Sequence, residues 1–227
     1  MAVSRVRVDF SGLARIARNA VEQVGPGPNW FSDSEDNVRV DSQGRLHLRI
    51  TQNGGRWICA GVGADQTLGY GRYLFQIVSR LDRLASSAVL GLFTWDDDPA
   101  CANREIDIEV ARWGDPCGAG LHYTVQAGSR PGRYFRAPIQ LEGAYTSHSI
   151  DWYPDRIAFA SWHGHYEVPP DENHVIAHHV YTGSDVPDAG NAWPCMNLWL
   201  FRGVPPESGE EVEVIVSGFR FRGRAGV

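Results

Sequence analysis

The chain has 227 residues, of which 43% are hydrophobic and 21% charged, so it can form a core and lacks the high charge of a disordered chain. Its 25 glycines and 13 prolines favour many turns over a helical bundle, and its net charge of −6 disfavours nucleic acid as a partner. Aromatic residues make up 11% of the chain, which suits a neutral ligand with apolar faces. No apolar run is long enough to cross a membrane, so we expect no membrane partner.

The first residues, MAVSRVRVDFSG, do not resemble a signal peptide because they contain no continuous apolar run. The protein is therefore either cytoplasmic or has lost its leader. The four cysteines have no zinc-binding spacing. Free buried thiols and a disulfide are equally compatible with the sequence, and a disulfide would most readily join Cys101 and Cys117.

A helical pattern is predicted near the start, where apolar residues recur from Leu13 to Val24 and Gly25-Pro26 ends the run. We therefore assign residues 1–28 to an N-terminal segment with a short helix. The remaining residues, 29–227, are predicted to form one β-domain.

From residue 38 onward the apolar residues alternate, as in strands with one buried face. Residues 38–40 and 46–50 predict a hairpin around the turn Ser42-Gln43-Gly44. Further strand-like runs cover 57–63, 70–79, 87–95, 104–110, 120–127, 133–141, 147–153, 156–162, 174–181, 195–201 and 211–222. This density of short runs separated by turn residues is typical of an all-β sandwich or jelly roll.

The segment 104–110 carries three carboxylates at alternate positions: Glu105, Asp107 and Glu109. On a strand they share one face, whereas the intervening isoleucines enter the core. Neighbouring carboxylates disfavour one another's ionisation, so a strand selected only for stability would avoid the pattern. The alternative is a solvated edge strand, on which acidic residues discourage pairing with another chain.

Hydrolysis of a glycosidic bond uses one carboxylate as nucleophile and one carboxylic acid as proton donor. A third carboxyl group between them helps to separate their pKa values. Four residues of strand span about 13 Å between Cα atoms, whereas a retaining enzyme needs its carboxyl groups about 5–5.5 Å apart. Two glutamates leaning inward could close most of that gap, but spacing alone does not decide between retention and inversion.

The run Glu105-Ile106-Asp107-Ile108-Glu109 resembles the active-site signature of glycoside hydrolase family 16, which includes lichenases and laminarinases. Shorter stretches resemble other strands of that family in the same order, together covering about residues 30–221. They are Leu68-Gly69-Tyr70-Gly71-Arg72-Tyr73, Gly91-Leu92-Phe93-Thr94-Trp95, Ser149-Ile150-Asp151-Trp152 continuing to Ile157, Met196-Asn197-Leu198-Trp199 and Gly218-Phe219-Arg220-Phe221.

The resemblance implies a concanavalin-like β-jelly roll of two curved antiparallel sheets, with a concave cleft for a polysaccharide. It implies that Glu105 is the nucleophile, Asp107 the supporting carboxylate and Glu109 the general acid/base of a retaining endo-β-glycanase. A β-1,3-1,4-glucan or β-1,3-glucan is the implied substrate, and an extracellular or periplasmic location is implied with it. The chemistry requires no cofactor, and a structural calcium ion is left open.

Three departures from the family pattern affect the sugar subsites. Asn103 stands where lichenases commonly carry tryptophan, Thr146-Ser147-His148 replaces a His-Thr-Tyr stretch, and the region around Trp162-His163-Gly164 lacks the usual Asp-Gly turn. The particular polysaccharide is therefore not carried over.

A carbohydrate cleft needs aromatic faces and hydrogen-bonding side chains. Our candidates for sugar contact are Trp95, Trp113, His122, Gln126, Asn197 and Trp199. Core packing is an equally good account of the tryptophans, and a structural role is the commoner one for a histidine on a strand. The acidic run Asp96-Asp97-Asp98 is interpreted as a solvated turn, with too few ligands by itself for calcium.

Two other functions fit the same fold. A non-catalytic carbohydrate-binding protein would explain the altered subsites, but has no need of three carboxylates. A transglycosylase would use the same carboxylates with a sugar hydroxyl in place of water. In each case we expect a monomer.

Overall fold

The computed structural model describes residues 6–128 and 130–224. Sixteen strands are present in this part of the chain: β1 (Arg7–Phe10), β2 (Leu13–Ala17), β3 (Trp30–Phe31), β4 (Val38–Val40), β5 (Leu46–Asn53), β6 (Arg56–Ala64), β7 (Gly71–Val78), β8 (Ala88–Trp95), β9 (Ile106–Ala111), β10 (Gly120–Val125), β11 (Tyr134–Pro138), β12 (Tyr145–Trp152), β13 (Ile157–His163), β14 (Val175–Tyr181), β15 (Trp193–Leu200) and β16 (Val212–Gly223). Four short 3₁₀ helices lie between them, at Leu81–Arg83, Pro99–Arg104, Glu172–His174 and Phe201–Gly203.

The strands form two layers that share one hydrogen-bonded path. The front sheet has the order β11-β10-β9-β8-β15-β6-β2-β1, and the back sheet has the order β4-β5-β16-β7-β12-β13-β14. The hairpin from β5 to β6 passes from one layer to the other at Asn53 and Arg56. Each pairing is antiparallel except that of β3 with β6. This arrangement confirms the predicted all-β jelly-roll sandwich.

The predicted strands from residue 38 onward are confirmed, with shifts of a few residues at their ends. The hairpin of β4 and β5 has the predicted register, with Val38 opposite Leu48 and Val40 opposite Leu46. Its turn contains Gly44 at a φ of +75°, where a glycine avoids the clash of a Cβ atom. Among the described residues, no helix is long and apolar enough to cross a membrane.

The alternation on β9 and β10 separates a core face from an outer face. Ile106, Ile108 and Val110 are buried between the sheets, as are Leu121, Tyr123 and Val125 on β10. Alternate side chains of a strand point to opposite faces, so Asp107 and Glu109 lie on the outer face of the front sheet. The core therefore holds the carboxylate strand by its apolar side.

Tyr123 links the two sheets next to the carboxylate strand. Its ring stacks on Phe159 of the back sheet at a centroid distance of 5.0 Å. Its hydroxyl donates to Ser161 Oγ at 2.8 Å and approaches the carbonyl of Ala177 at 3.2 Å. Ser161 Oγ also contacts Nδ1 of the buried His148 at 2.8 Å. Burial lowers the pKa of His148 to about 3, so this polar chain across the core is uncharged at neutral pH.

The predicted N-terminal helix is wrong. Residues 7–17 instead form the hairpin β1–β2, which turns at Ser11-Gly12, and β2 pairs with the edge of β6. Arg15 faces the core, where its guanidinium lies 4.7 Å from the centre of the Phe219 ring. Val21 is 93% exposed and takes no part in the expected apolar stripe. The edge of β6 satisfies the backbone of residues 15–17, and this pairing overrides the helical spacing of the apolar residues.

The favoured disulfide is also absent, because all four cysteines are free. Cys101 precedes β9, whereas Cys117 follows it, so the two lie at opposite ends of one strand. Six residues of strand separate them by about 17 Å, far more than the roughly 7 Å that a disulfide can bridge between Cα atoms.

We expect Tyr123→Phe to lower the free energy of unfolding by about 1–2 kcal/mol, because it leaves buried acceptors without their donor while keeping the ring. Urea unfolding monitored by tryptophan fluorescence measures the change. Tyr145→Phe is the matched control, since Tyr145 is exposed and makes no hydroxyl hydrogen bond to the described residues. Equal midpoints for the two variants would contradict a stabilising role for the Tyr123 hydroxyl.

Candidate active site

The outer face of β9 lies near the middle of the front sheet, between β8 and β10. Glu109 is opposite Gly91 on β8 and His122 on β10. Asp107 is opposite Phe93 and Thr124. The position of β9 excludes the solvated edge strand as an explanation of the acidic pattern, because both of its edges are hydrogen-bonded.

Gly91 leaves the outer face open beside Glu109, because it has no side chain. Gly91 is paired with Asn197 of β15, and a Cβ atom at position 91 would lie 2.4 Å from Asn197 Oδ1. The amide of Asn197 therefore lies over the glycine backbone, on the same row as Glu109. Asn197 Oδ1 is buried and has no hydrogen-bond partner among the described residues, which leaves an acceptor at this row.

Asp107 is the most buried of the three carboxyl groups, at 4% exposure. Burial raises its pKa well above the usual range, and the charges of Glu105 and Glu109 raise it further. Its Oδ2 accepts a hydrogen bond from Gln126 Nε2 at 3.1 Å, and the carboxyl group shares a second hydrogen bond with Glu105. Burial and the two charges favour the protonated form of Asp107, and the hydrogen bond from Gln126 opposes them.

The two glutamates titrate near neutrality. Burial raises the pKa of Glu105 to about 7, and the hydrogen bond with Asp107 opposes that rise. Burial also raises the pKa of Glu109 to about 7, and the charge of Glu105 adds to the effect. Since the charge of one glutamate disfavours ionisation of the other, the pair favours a state with one carboxylate and one carboxylic acid. This is the pair of protonation states that a nucleophile and a proton donor require.

The segment before Glu105 has an unusual backbone and a dense set of ion pairs. Ala102, Asn103 and Arg104 have φ values of +49°, +56° and +46°. The Arg104 guanidinium pairs with Asp96 at 2.9 Å, with Asp98 at 3.3 Å and with Asp188 at 3.0 Å. Several contacts of this kind can hold a strained backbone in place. Here they fix Arg104, the residue before Glu105.

The interpretation of Asp96-Asp97-Asp98 as a solvated turn is wrong for its first member. Asp96 is buried, pairs with Arg104 and accepts a hydrogen bond from the backbone N–H of Asn191 at 2.9 Å. The acidic run thus ties two loops together through an arginine. Within residues 6–128 and 130–224, no group of three or more acidic, histidine or cysteine side chains is arranged to hold a metal ion.

Three predicted sugar-contact residues form an aromatic cluster at the Glu109 end of the outer face. The ring of Trp113 lies 5.5 Å from His122 and 6.0 Å from Trp199, and it also packs on Phe201 at 5.3 Å. His122 and Trp199 are themselves buried, so they support the cluster more than they present surface. Burial lowers the pKa of His122, which keeps its ring neutral.

Tyr134 belongs to this cluster although the sequence analysis did not select it. Its ring stacks on His122 at 5.8 Å, its hydroxyl lies 2.6 Å from His122 Nδ1, and it is 46% exposed. Tyr134 lies on the outer face because it pairs with Thr124 of β10. The alternation within 133–141 does not predict that register. Phe201 was not selected either, although it ends the predicted run 195–201 and alternates with Asn197 and Trp199.

The other candidates lie apart from this cluster. Trp95 is at the Glu105 end, opposite Trp193, and its indole N–H donates to Asp97 at 3.1 Å. Gln126 is at the same end and donates its amide to Asp107. Asn197 lies between the two ends, on the Glu109 row. The structure thus places the six candidates along the face that carries the trio.

Neither a protein-family model nor a curated protein sequence matches the chain. Solved structures do share its fold. A Bacillus licheniformis β-glucanase superposes with a TM-score of 0.67 at 17% identity, covering 99% of this chain and 100% of its own. A Mycobacterium tuberculosis protein described as an immunostimulatory antigen and pseudo β-1,3-glucanase gives 0.64 at 21% identity, covering 92% of this chain and 91% of its own.

A third similar structure is a Bacteroides ovatus mixed-linkage-glucan GH16 protein in complex with a G4G4G3G product. It has a TM-score of 0.67 at 12% identity, and the match covers 92% of this chain and 94% of that one. The chain described here therefore has the jelly-roll fold of these proteins over nearly its whole length.

We expect Glu109→Gln to stabilise the fold, and to do so more at pH 8 than at pH 4.5. The pKa of Glu109 is higher in the folded state than the usual 4.5, so its stabilising contribution is complete below about pH 4.5 and is lost as the pH rises through 7. Thermal unfolding at both pH values measures the effect, at about 2–4 °C per kcal/mol for a chain of this size. Glu142→Gln, at an exposed position, is the control. A pH-independent difference would contradict the burial of an ionisable Glu109.

Proposed function

We propose that this chain is a retaining endo-β-glycanase of the glycoside hydrolase family 16 type. The observation that carries the proposal is the trio itself: a buried Asp107, held by a hydrogen bond from Gln126, stands between two glutamates at alternate positions of the strand. The shared fold with β-glucanases supports it.

In the first step, the Glu105 carboxylate attacks the anomeric carbon of the sugar. A bond forms between that carbon and a Glu105 oxygen while the glycosidic bond breaks, and Glu109 gives its proton to the departing oxygen. Asp107 donates a hydrogen bond to Glu105, which favours the ionised nucleophile.

In the second step, Glu109 accepts a proton from water, and the water oxygen bonds to the anomeric carbon. The bond to Glu105 breaks, and Glu105 leaves as a carboxylate that is again stabilised by the Asp107 proton. A sugar hydroxyl in place of water would give transglycosylation with the same atom balance. Neither route needs a cofactor.

We propose a β-1,3-1,4-glucan or β-1,3-glucan as the substrate. The outer face offers a neutral aromatic cluster around Trp113 and Tyr134, which suits the apolar faces of uncharged sugar rings. Two structural neighbours, a β-glucanase and a mixed-linkage-glucan GH16 protein, agree with this class. Because a polysaccharide does not cross a membrane unaided, we propose that the protein acts outside the cell membrane.

A second candidate function is carbohydrate binding without hydrolysis. The description of one structural neighbour as a pseudo β-1,3-glucanase favours it, because this chain shares that fold. Asn103 favours it too, since it makes hydrogen bonds to the backbone of Asp96 instead of presenting an aromatic ring. Binding of β-glucan without any release of reducing ends would identify this function.

We expect the wild-type chain to release reducing ends from barley β-glucan or laminarin, and Glu105→Gln to lower kcat by about a thousandfold or more. The variant keeps the size of the side chain but removes the nucleophilic oxygen anion. A reducing-sugar assay measures the loss, circular dichroism checks the fold, and Glu142→Gln is the control. Proton NMR of the first product should show the β-anomer, as retention requires. A fully active Glu105→Gln variant would overturn the assignment of the nucleophile.

We also expect kcat/KM to have a maximum near neutral pH and to fall on both sides. On the acid side the nucleophile becomes protonated, and on the alkaline side the proton donor becomes ionised. Both pKa values lie at about 7, so the two limbs belong to the coupled pair. Initial rates from pH 4 to pH 9 measure the profile. A plateau extending to pH 9 would exclude Glu109 as the acid.

A further inference from the structure

Gln126 is held at three points at the end of β10. Its backbone N–H donates to the carbonyl of Glu105 at 3.0 Å. Its side-chain Nε2 donates to Asp107 Oδ2 at 3.1 Å, and its Oε1 accepts from the backbone N–H of Gly128 at 3.3 Å. The side chain therefore bridges the loop after β10 to the middle carboxyl group of the trio.

The hydrogen bond from Gly128 fixes which end of the amide faces the trio. Only the oxygen of a glutamine amide can accept from a backbone N–H, so the NH₂ end faces Asp107. An amide nitrogen can only donate, so Asp107 Oδ2 must be an acceptor. The carbonyl oxygen is the better acceptor of a protonated carboxyl group, so this contact favours a proton on the other oxygen of Asp107.

A buried arginine stabilises the position of Gln126. Arg133 donates to the backbone carbonyl of Gln126 and to the carbonyl of Asp185 at 2.6 Å. The same guanidinium pairs with the Asp185 carboxylate at 2.9 Å and contacts the Tyr181 hydroxyl at 3.2 Å. Arg133 thus connects the backbone of Gln126 to the loop after β14 and fixes the point from which the Gln126 side chain extends.

We propose that Gln126 is a positioning residue that keeps the Asp107 proton on the oxygen directed at Glu105. This inference rests on the proposed function in one respect, namely that Glu105 is the nucleophile. The amide acts through Asp107 and touches no reacting atom. With the proton so directed, Glu105 is a better leaving group in the second step, because its carboxylate leaves with a hydrogen bond already formed.

This role differs from the sugar contact that the sequence analysis assigned to Gln126. Each polar end of the amide already has one partner within the protein, and these two partners fix the orientation of the amide toward Asp107. A sugar-binding residue acts on KM, whereas a residue that directs the Asp107 proton acts on the pKa of Glu105 and on kcat.

The test is Gln126→Met, which keeps the length of the side chain and removes its N–H donors. Carbon-detected NMR of ¹³C-carboxyl-labelled protein follows each glutamate through a pH titration, with Glu105→Gln and Glu109→Gln to assign the signals. We expect the pKa of Glu105 to rise by about half a unit to one unit, the size of one lost hydrogen bond. Gln140→Met, at an exposed position, is the control and should leave the titration unchanged.

Kinetics on β-glucan provide a second readout. We expect Gln126→Met to lower kcat about tenfold, to leave KM within about twofold and to move the acid limb of the pH profile upward, because a higher pKa of Glu105 delays its ionisation. A raised KM with an unchanged Glu105 pKa would overturn the proposal in favour of sugar binding. A folded variant with the wild-type titration would overturn it as well.

The titration requires no substrate, so it separates the two proposals. A wild-type protein that hydrolyses nothing would contradict the proposed function, while a shifted Glu105 pKa in Gln126→Met would still support the role of Gln126. If the variant does not fold, ¹⁵N-glutamine labelling of the wild-type protein tests the contact between Gln126 and Asp107 instead. The Gln126 side-chain amide signal should then move with the titration of the trio, and a signal that ignores pH would contradict the proposal.

Discussion

The carboxylate strand is governed by one constraint: three acidic side chains on one face of a buried strand cannot all be ionised together. Burial raises all three pKa values, and at Asp107 in the middle the charges of both glutamates add to the effect of burial. A proton on Asp107 neutralises the carboxyl group between the two glutamates and so removes its repulsion of both. The nearby Gln126 amide then decides where that proton points. Gly91 leaves the outer face open beside Glu109, and the Arg104 ion pairs fix where the strand begins.

The opposite, apolar face of the same strand supplies the stabilisation that the carboxylate face lacks. Ile106, Ile108 and Val110 are fully packed, and Tyr123 on the next strand joins the front sheet to the back sheet through a hydrogen bond and a stacked ring. Apolar burial and cross-sheet contacts stabilise the strand, whereas like charges on its outer face destabilise it. A strand under electrostatic strain persists because the surrounding sandwich over-determines its position.

The alternation of residue types was sufficient to predict the strands and the shared face of the trio, because period two needs only local sequence. It was insufficient for Leu13–Val24, where the apolar spacing fits a helix but the edge of β6 supplies a better partner for the backbone. The contact between Gln126 and Asp107 depends on the register of β10 against β9, with Thr124 opposite Asp107. The ion pair of Arg104 with Asp188 joins two loops more than eighty residues apart in sequence. No local pattern contains either kind of information.

The position of Gln126 also accounts for the different roles of Glu105 and Glu109 within the trio. Glu105 and Glu109 have similar pKa values, so burial alone does not assign the nucleophile. The difference comes from hydrogen bonding: Glu105 shares a hydrogen bond with the Asp107 carboxyl group, whereas burial and then the charge of Glu105 raise the pKa of Glu109. A donated hydrogen bond favours the carboxylate form, and the absence of one favours the acid. Gln126 lies at the Glu105 end of the strand, and by occupying the other Asp107 oxygen it makes Glu105 the ionised member of the pair and Glu109 the proton donor.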